Sequence, residues 1–262
     1  MRALAEGLDV RTNAPVNRIV RTPGSGVEVT TPSGTFRAAA VIVTVPIPVL
    51  QRGLIEFVPP LPIAKTRAIA SLECEPALKM CAKFAKRFWP PELHGMVCSD
   101  SFAPELWFDV GPSHDARGAV CEVYYVTAFF TSDQARRVAE LETDAAFGSL
   151  LAQMSEMFEA PARTHYLGGF IIDWGRVPYI WGGYTTPSLS EAADARQAVG
   201  APVDGQIFFA GEGTDPNAFM TAHAAMQTGL RAARESMQAV LAVRMRSVLA
   251  LHTAAASPLS RL

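Results

Sequence analysis

The sequence predicts a chain that mixes sheets and helices, of the α+β or α/β class. Short apolar runs such as Val41-Ile42-Val43-Thr44-Val45 and Ile207-Phe208-Phe209-Ala210 read as buried strands. Longer stretches keep a helical spacing: Thr143 to Phe158 sets Phe147, Leu150, Leu151, Met154, Met157 and Phe158 on one stripe, which reads as core packing. A length of 262 residues, 49% hydrophobic and 18% charged, is enough for a sizeable core in one large or two modest domains.

In chain order, residues 1–10 read as the end of a helix closed by Gly7. Val16 to Arg21 and Val27 to Thr31 form a hairpin about Pro23-Gly24-Ser25-Gly26, and Thr35 to Ala39 can pair again. The strand from Val41 ends at Pro46 and Pro48, which cannot donate to a ladder. Ile63 to Leu72 is a helix after Pro59-Pro60-Leu61-Pro62, and Ala77 to Phe84 is a strand. Val97 to Val110 and Ala119 to Phe130 are strands around a polar loop, Gly111 to Gly118. Helices follow over Ser132 to Glu140 and Thr143 to Phe158, then a strand from Arg163 to Trp174. The last helix runs from Ala218 past Arg244; its later part is amphipathic and reads as a solvated helix packed on the domain.

A net charge of −2 argues against nucleic acid or an anionic membrane surface as a partner held by bulk charge. Cys74, Cys81, Cys98 and Cys121 show no metal spacing and read as buried free thiols of a reducing, cytoplasmic compartment. The five histidines are too scattered for a metal site, and neither a leader nor a membrane span is evident.

The segment richest in chemistry is Ile207-Phe208-Phe209-Ala210-Gly211-Glu212-Gly213-Thr214, followed by the small-residue helix around Thr221, Ala222 and Ala225. Glycine lets backbone approach a ligand closely, Glu212 accepts from hydroxyls, and a helix start presents free N–H groups. The alternative is an ordinary strand–turn–helix with an alanine-rich packing face. "IFFAGEGTDP…TAHAAMQTGLRAARE" resembles the carboxyl-terminal flavin-binding segment of the FAD-dependent amine oxidase family, which includes monoamine oxidases, polyamine oxidases and flavin-dependent histone lysine demethylases.

The resemblance implies an amine-oxidase-type substrate domain, a mixed sheet with helices, joined to part of an FAD-binding domain. Residues 1–48 would be partial FAD-binding domain, 49–187 substrate-binding domain, 188–238 the carboxyl-terminal FAD segment and 239–262 an amphipathic helix or tail. FAD enzymes of this class carry Gly-x-Gly-x-x-Gly after an amino-terminal strand, and no such fingerprint stands here. The chain therefore reads as the middle and carboxyl-terminal part of such an enzyme, with an amino-terminal FAD-binding half missing. It is expected to bind FAD weakly or not at all alone, and to expose an apolar surface.

Lys79 lies in the apolar strand before Phe88-Trp89, where burial of its ammonium would lower its pKa. The resemblance assigns it the family lysine that holds a water beside flavin N5; otherwise it is a strand-edge lysine in solvent. Trp174 matches a tryptophan that contacts the flavin, and Tyr184 one wall of an aromatic cage whose second wall falls at Thr221. Both aromatics can instead be core. Glu212, Thr221 and Ala222 would meet FAD, and Val16 would meet its adenine through backbone, or be a plain strand valine. The implied reaction takes two electrons from a small-molecule amine to flavin, with O2 as final acceptor. Alternatives are a flavin-dependent C–C desaturase or oxidase, and an inactive remnant serving as an interaction module.

Overall fold

The computed structural model describes residues 5–114, 120–189 and 191–255. The chain divides into two compact units, Met1–Glu73 with Thr185–Leu262, and Cys74–Tyr184. The first opens with β1 (Arg18–Thr22), β2 (Gly26–Thr31), β3 (Gly34–Ala38) and β4 (Val41–Val43), then α1 (Ile47–Gln51), β5 (Glu56–Val58) and α2 (Ile63–Ser71). Short β6 (Glu73–Cys74) stands where the chain passes to the second unit. That unit holds β7 (Ala77–Phe84), β8 (Gly95–Val97), β9 (Glu105–His114), β10 (Val120–Thr131), α3 (Ser132–Ala139), α4 (Thr143–Met157), α5 (Ala162–His165) and β11 (Tyr166–Asp173). The chain returns through β12 (Thr185–Thr186), α6 (Ala195–Gly200), β13 (Ile207–Phe209), a 3-10 turn (Glu212–Thr214) and α7 (Ala222–Ala255).

In the first unit, β1 to β3 form the meander that the turn chemistry predicts, and β5 joins β1 in parallel. Gly26 sits at φ 91°, and a Cβ there would lie 2.3 Å from the Ala38 carbonyl oxygen, so only glycine closes this hairpin. Val16 precedes β1 rather than belonging to it. β4 and β13 pair in parallel, Ile42 opposite Phe208. On one face Phe208 and Ala210 meet Ala232 of α7. On the other, Phe57 and the Lys65 ammonium lie over the Phe209 ring, the latter 4.0 Å from its centroid. Residues 49–71, which the sequence reading groups with the substrate-binding region, lie in this unit.

The second unit is built on an antiparallel sheet in the order β11-β7-β10-β9-β8. Alternation along β7 turns Leu78, Met80, Ala82 and Phe84 to a buried face, where Phe147, Leu150, Leu151 and Met154 of α4 cover them. Burying each such side chain contributes about 1.5–3 kcal/mol. The intervening residues, Lys79, Cys81 and Lys83, therefore share the opposite face with Phe129, Thr127 and Tyr125 of β10.

Several expectations need correction. Val97 to Val110 is not one strand: β8 ends at Val97 and β9 starts at Glu105. Gly111 to His114, read as loop, extends β9, and 115–119 lie outside the described residues. Arg163 to His165 form a short helix after Pro161 rather than the start of β11. The four cysteines form no disulfide and are half-buried rather than buried. On the later part of α7, Met237, Leu241 and Met245 are exposed rather than packed on the unit, whereas the side chain of Val248 lies outside the description. No described helix is long and apolar enough to cross a membrane.

Lys65, 4% exposed, donates to the carbonyls of Ala198 (2.9 Å) and Val199 (2.6 Å) at the end of α6. Burial, with Arg231 adding repulsion, lowers its pKa from 10.5 to about 8. The unfolded lysine keeps its proton up to about 10.5, so between about pH 8 and 10.5 the unfolded chain holds more protons. The penalty for this buried charge is complete below pH 8 and fades as pH rises, so stability at this site increases with pH across that window, by about 3 kcal/mol at most. Urea midpoints of the wild type and Lys65→Met at pH 7.5 and pH 9.5 check this. The wild type should gain stability with pH relative to the variant, and equal pH slopes would contradict the assignment.

Candidate functional site

Where β13 ends, the chain turns sharply at Gly211, whose φ of 134° is open to glycine and strained for other residues. Gly213 follows in a confined spot: a Cβ there would lie 2.8 Å from Cγ1 of Ile47 and 3.1 Å from Cγ2 of Thr185. Between them, Glu212 accepts the Thr185 amide (3.0 Å) and hydroxyl (2.8 Å) and the Met220 amide (2.9 Å). Met220 holds φ at 68°, a strained value for a non-glycine residue that the Glu212 hydrogen bond helps to maintain. The Asp215 carboxylate accepts the amides of Asn217 and Ala218, both 2.9 Å, and these bonds lower its pKa.

This clamping explains why α7 starts at Ala222 and not at Ala218 as the sequence suggests. The amides of Asn217, Ala218 and Met220 go to the side-chain carboxylates of Asp215 and Glu212 instead of to a helix. The Thr221 hydroxyl then caps α7 through the Ala224 amide (3.3 Å) and donates to the Ala218 carbonyl (2.6 Å). Ala222 and His223 occupy the first turn, where the helix itself supplies no carbonyl partners.

Behind the turn lies a network that the sequence did not disclose. Arg196, 3% exposed, donates to the Thr185 hydroxyl (2.6 Å) and to both carboxylate oxygens of Glu191 (2.8 and 3.2 Å). Its guanidinium stacks 3.8 Å from the Phe219 ring centroid. Arg231 of α7 donates to the carbonyls of Gly200 (3.0 Å) and Phe209 (2.8 Å), fastening α6 and β13 to the helix. The available signal was slight: arginines or a lysine at small-residue helix positions, whose partners are remote in sequence.

In the second unit, Lys79, Trp174 and Tyr184 gather about the amino-terminal end of β7. Lys79 is the third residue of that strand, opposite Ile172 of β11 and Phe129 of β10, with its ammonium 5.4 Å from the Phe129 ring centroid. It is exposed: the expected burial by its own strand fails, because alternation sends Leu78 and Met80 to the core and Lys79 to the other face. The Trp174 amide donates to the Ala77 carbonyl (3.0 Å), and the Tyr184 carbonyl accepts the Glu75 amide (2.8 Å). Both aromatics are half-buried. Burial, then the carboxylates of Glu75 and Glu105, raises the Tyr184 pKa above its usual 10.0. Gly182 and Gly183 allow this approach: a Cβ on either would lie 2.6 Å from Cys74 Sγ or Ala77 Cβ respectively. Val16, Glu212, Thr221 and Ala222 all belong to the first unit.

The residues around Glu212 fit a flavin nucleotide. The carboxylate makes three hydrogen bonds out of roughly four lone-pair sites, leaving capacity for a ligand hydroxyl. Two glycines keep side chains away from the turn, and the capped start of α7 offers first-turn amides. If the carboxylate clamps the turn, Glu212→Ala should lower the unfolding free energy by about 2 kcal/mol and speed Met220 amide exchange at least tenfold, measured by urea titration and hydrogen exchange. A variant unchanged in both would show that the clamp contributes nothing.

Comparison with known proteins agrees with this geometry. The chain is 34% identical over 244 residues to polyamine oxidase 4 of Oryza sativa subsp. japonica, covering 92% of this chain and 48% of that protein. It is 31% identical over 243 residues to lysine-specific histone demethylase 2 of Homo sapiens, covering 88% of this chain and 28% of that one. The fold matches wild-type putrescine oxidase bound to putrescine with a TM-score of 0.74 at 20% identity, over 90% of this chain and 51% of that chain. The chain thus spans about half the length of the plant relative and of the putrescine oxidase chain it matches. The sequence profile of the flavin containing amine oxidoreductases matches residues 1–236 of the 262, and the chain belongs to that family.

Proposed function

We propose that this chain supplies the substrate-binding unit and the carboxyl-terminal flavin-binding segment of an FAD-dependent amine oxidase acting on a small-molecule amine. The observation that carries the reading is the Glu212 turn, with a glycine-only conformation at Gly211 and strained backbone at Met220 held around a carboxylate that retains accepting capacity. Glu212 would receive a hydroxyl of FAD, Thr221 and Ala222 would face its ring through backbone groups, and Val16 would meet the adenine. Bound flavin would accept two electrons from the amine, leaving an imine that water hydrolyses, and would pass them to O2 as hydrogen peroxide.

The chain's own side chains would bind and orient. Trp174 and Tyr184 would exclude water and attract a protonated amine through their ring faces. Lys79, whose ammonium is exposed on the outer face of β7, would hold an ordered water at Nζ and move a proton through it. Four cysteines outside any disulfide support a reducing, cytoplasmic setting. The 262 residues themselves contain no Gly-x-Gly-x-x-Gly pyrophosphate cradle.

Without that pyrophosphate cradle, the remaining contacts must alone offset the immobilisation of a large ligand. The purified chain should therefore retain far less than stoichiometric flavin after gel filtration. Supplied with an FAD-binding amino-terminal half, it should release peroxide from an amine, and Lys79→Met should slow flavin reduction or reoxidation at least tenfold. A completed protein that binds flavin but oxidises no amine would refute the enzymatic reading, and an unimpaired Lys79→Met would remove the lysine from it.

A further inference from the structure

We infer that Glu105 holds a second, cationic nitrogen of the substrate, so that the amine oxidised is a short diamine lying across the strands from β7 to β9. This rests on the reading of the chain as the substrate-binding part of an amine oxidase. It adds the charge pattern of the substrate, its direction and the residue that selects it.

All the groups concerned belong to the second unit. Register fixes their places: Lys79 of β7 stands opposite Phe129 of β10, and Phe129 opposite Glu105 of β9. Residues paired in this way share a face, so ammonium, ring and carboxylate form one row on the side away from α4. Neighbouring strands lie about 4.8 Å apart, which puts the Glu105 backbone about 10 Å from that of Lys79. A second row, Lys83, Tyr125 and Asp109, repeats the order. The face is thus cationic on β7, aromatic on β10 and anionic on β9.

Glu105 is half-buried, and its one hydrogen bond among the described residues comes from the Trp107 indole, whose Nε1 donates to Oε1 (2.5 Å). No described lysine or arginine forms an ion pair with it. Glu75, by contrast, accepts from the Ser132 hydroxyl. The charge of Glu105 is felt at Tyr184, one of the aromatics proposed to attract the amine. A half-buried carboxylate with an oxygen open and no cation beside it is an ammonium acceptor.

Direction follows from the chemistry. Oxidation at the carbon next to a nitrogen draws on that nitrogen's lone pair, so the reacting nitrogen must be neutral, while a second one keeps its proton at neutral pH. The lysines of β7 disfavour a proton on the nearer nitrogen, and Glu105 favours one on the farther. The side chains of Lys79 and Glu105 shorten the span between their strands, so a short diamine fills it. A monoamine would instead lay its apolar tail against the Glu105 carboxylate.

The test uses putrescine and butylamine, which share one carbon chain and differ by one ammonium. In the full 262-residue chain with labelled tryptophan, the Trp107 indole N–H signal should shift at a concentration at least tenfold lower with putrescine than with butylamine. Glu105→Gln should erase that preference and Glu105→Asp should keep part of it. Glu156→Gln, at an exposed position of α4 across the sheet, should leave it intact. Joined to an FAD-binding amino-terminal half, the protein should prefer putrescine by kcat/KM, and Glu105→Gln should cut the ratio at least tenfold. The inference is overturned if Trp107 responds to the two amines alike or to neither, or if Glu105→Gln keeps the wild-type preference. A Glu105-dependent preference in a completed protein that oxidises no amine upholds the cation site and defeats the enzymatic reading. Turnover with a ratio that Glu105→Gln leaves unchanged does the reverse.

Discussion

The turn after β13 depends on one hydroxyl. Thr185 receives a hydrogen bond from buried Arg196 and gives its own proton to Glu212, so a cation and a carboxylate are joined through a neutral relay. Glu191 takes two further donors of the guanidinium, and Phe219 covers its face. Removing any member would leave a buried charged or polar group unsatisfied, which costs more than the bond itself contributes. The relay also explains why Glu212 can stay ready for a ligand. Its orientation is fixed by donors from Thr185 and Met220 to both carboxylate oxygens, and needs no ligand to set it.

Much of the architecture was legible in the sequence because local rules and tertiary packing agree there. The strand Ala77 to Phe84 is found with the predicted bounds, since alternation, β-rich composition and flanking breaks coincide. The hairpin at Gly24–Gly26 and the apolar stripe of α4 follow equally directly from turn and period rules. The start of α7 was misread because the sequence shows helix-favouring residues at 218–221, but not that Asp215 and Glu212 would take their amides. The buried cations were invisible for a different reason. Lys65 serves carbonyls more than a hundred residues away, and Arg231 those of Gly200 and Phe209, so no local pattern marks them.

The two units solve different physical problems. The second closes its own account of backbone bonds with an antiparallel sheet, one face of which is packed under α4. Its other face keeps polar, aromatic and cationic residues in register, Lys79 with Phe129 and Cys81 with Thr127. The first unit instead gathers fragments of sheet, a meander and a parallel pair, around cations that bond to carbonyls at helix and strand ends. Such a unit relies on hydrogen-bonded cross-links where the other relies on a continuous apolar layer.

Tyr184 carries a consequence for electron chemistry. A phenolate gives up a single electron far more readily than a phenol does. Burial and the two nearby glutamates hold the Tyr184 proton in place well into the alkaline range. Near pH 10, where a free tyrosine is turning into a phenolate, this residue stays in the phenol form, which loses an electron less readily.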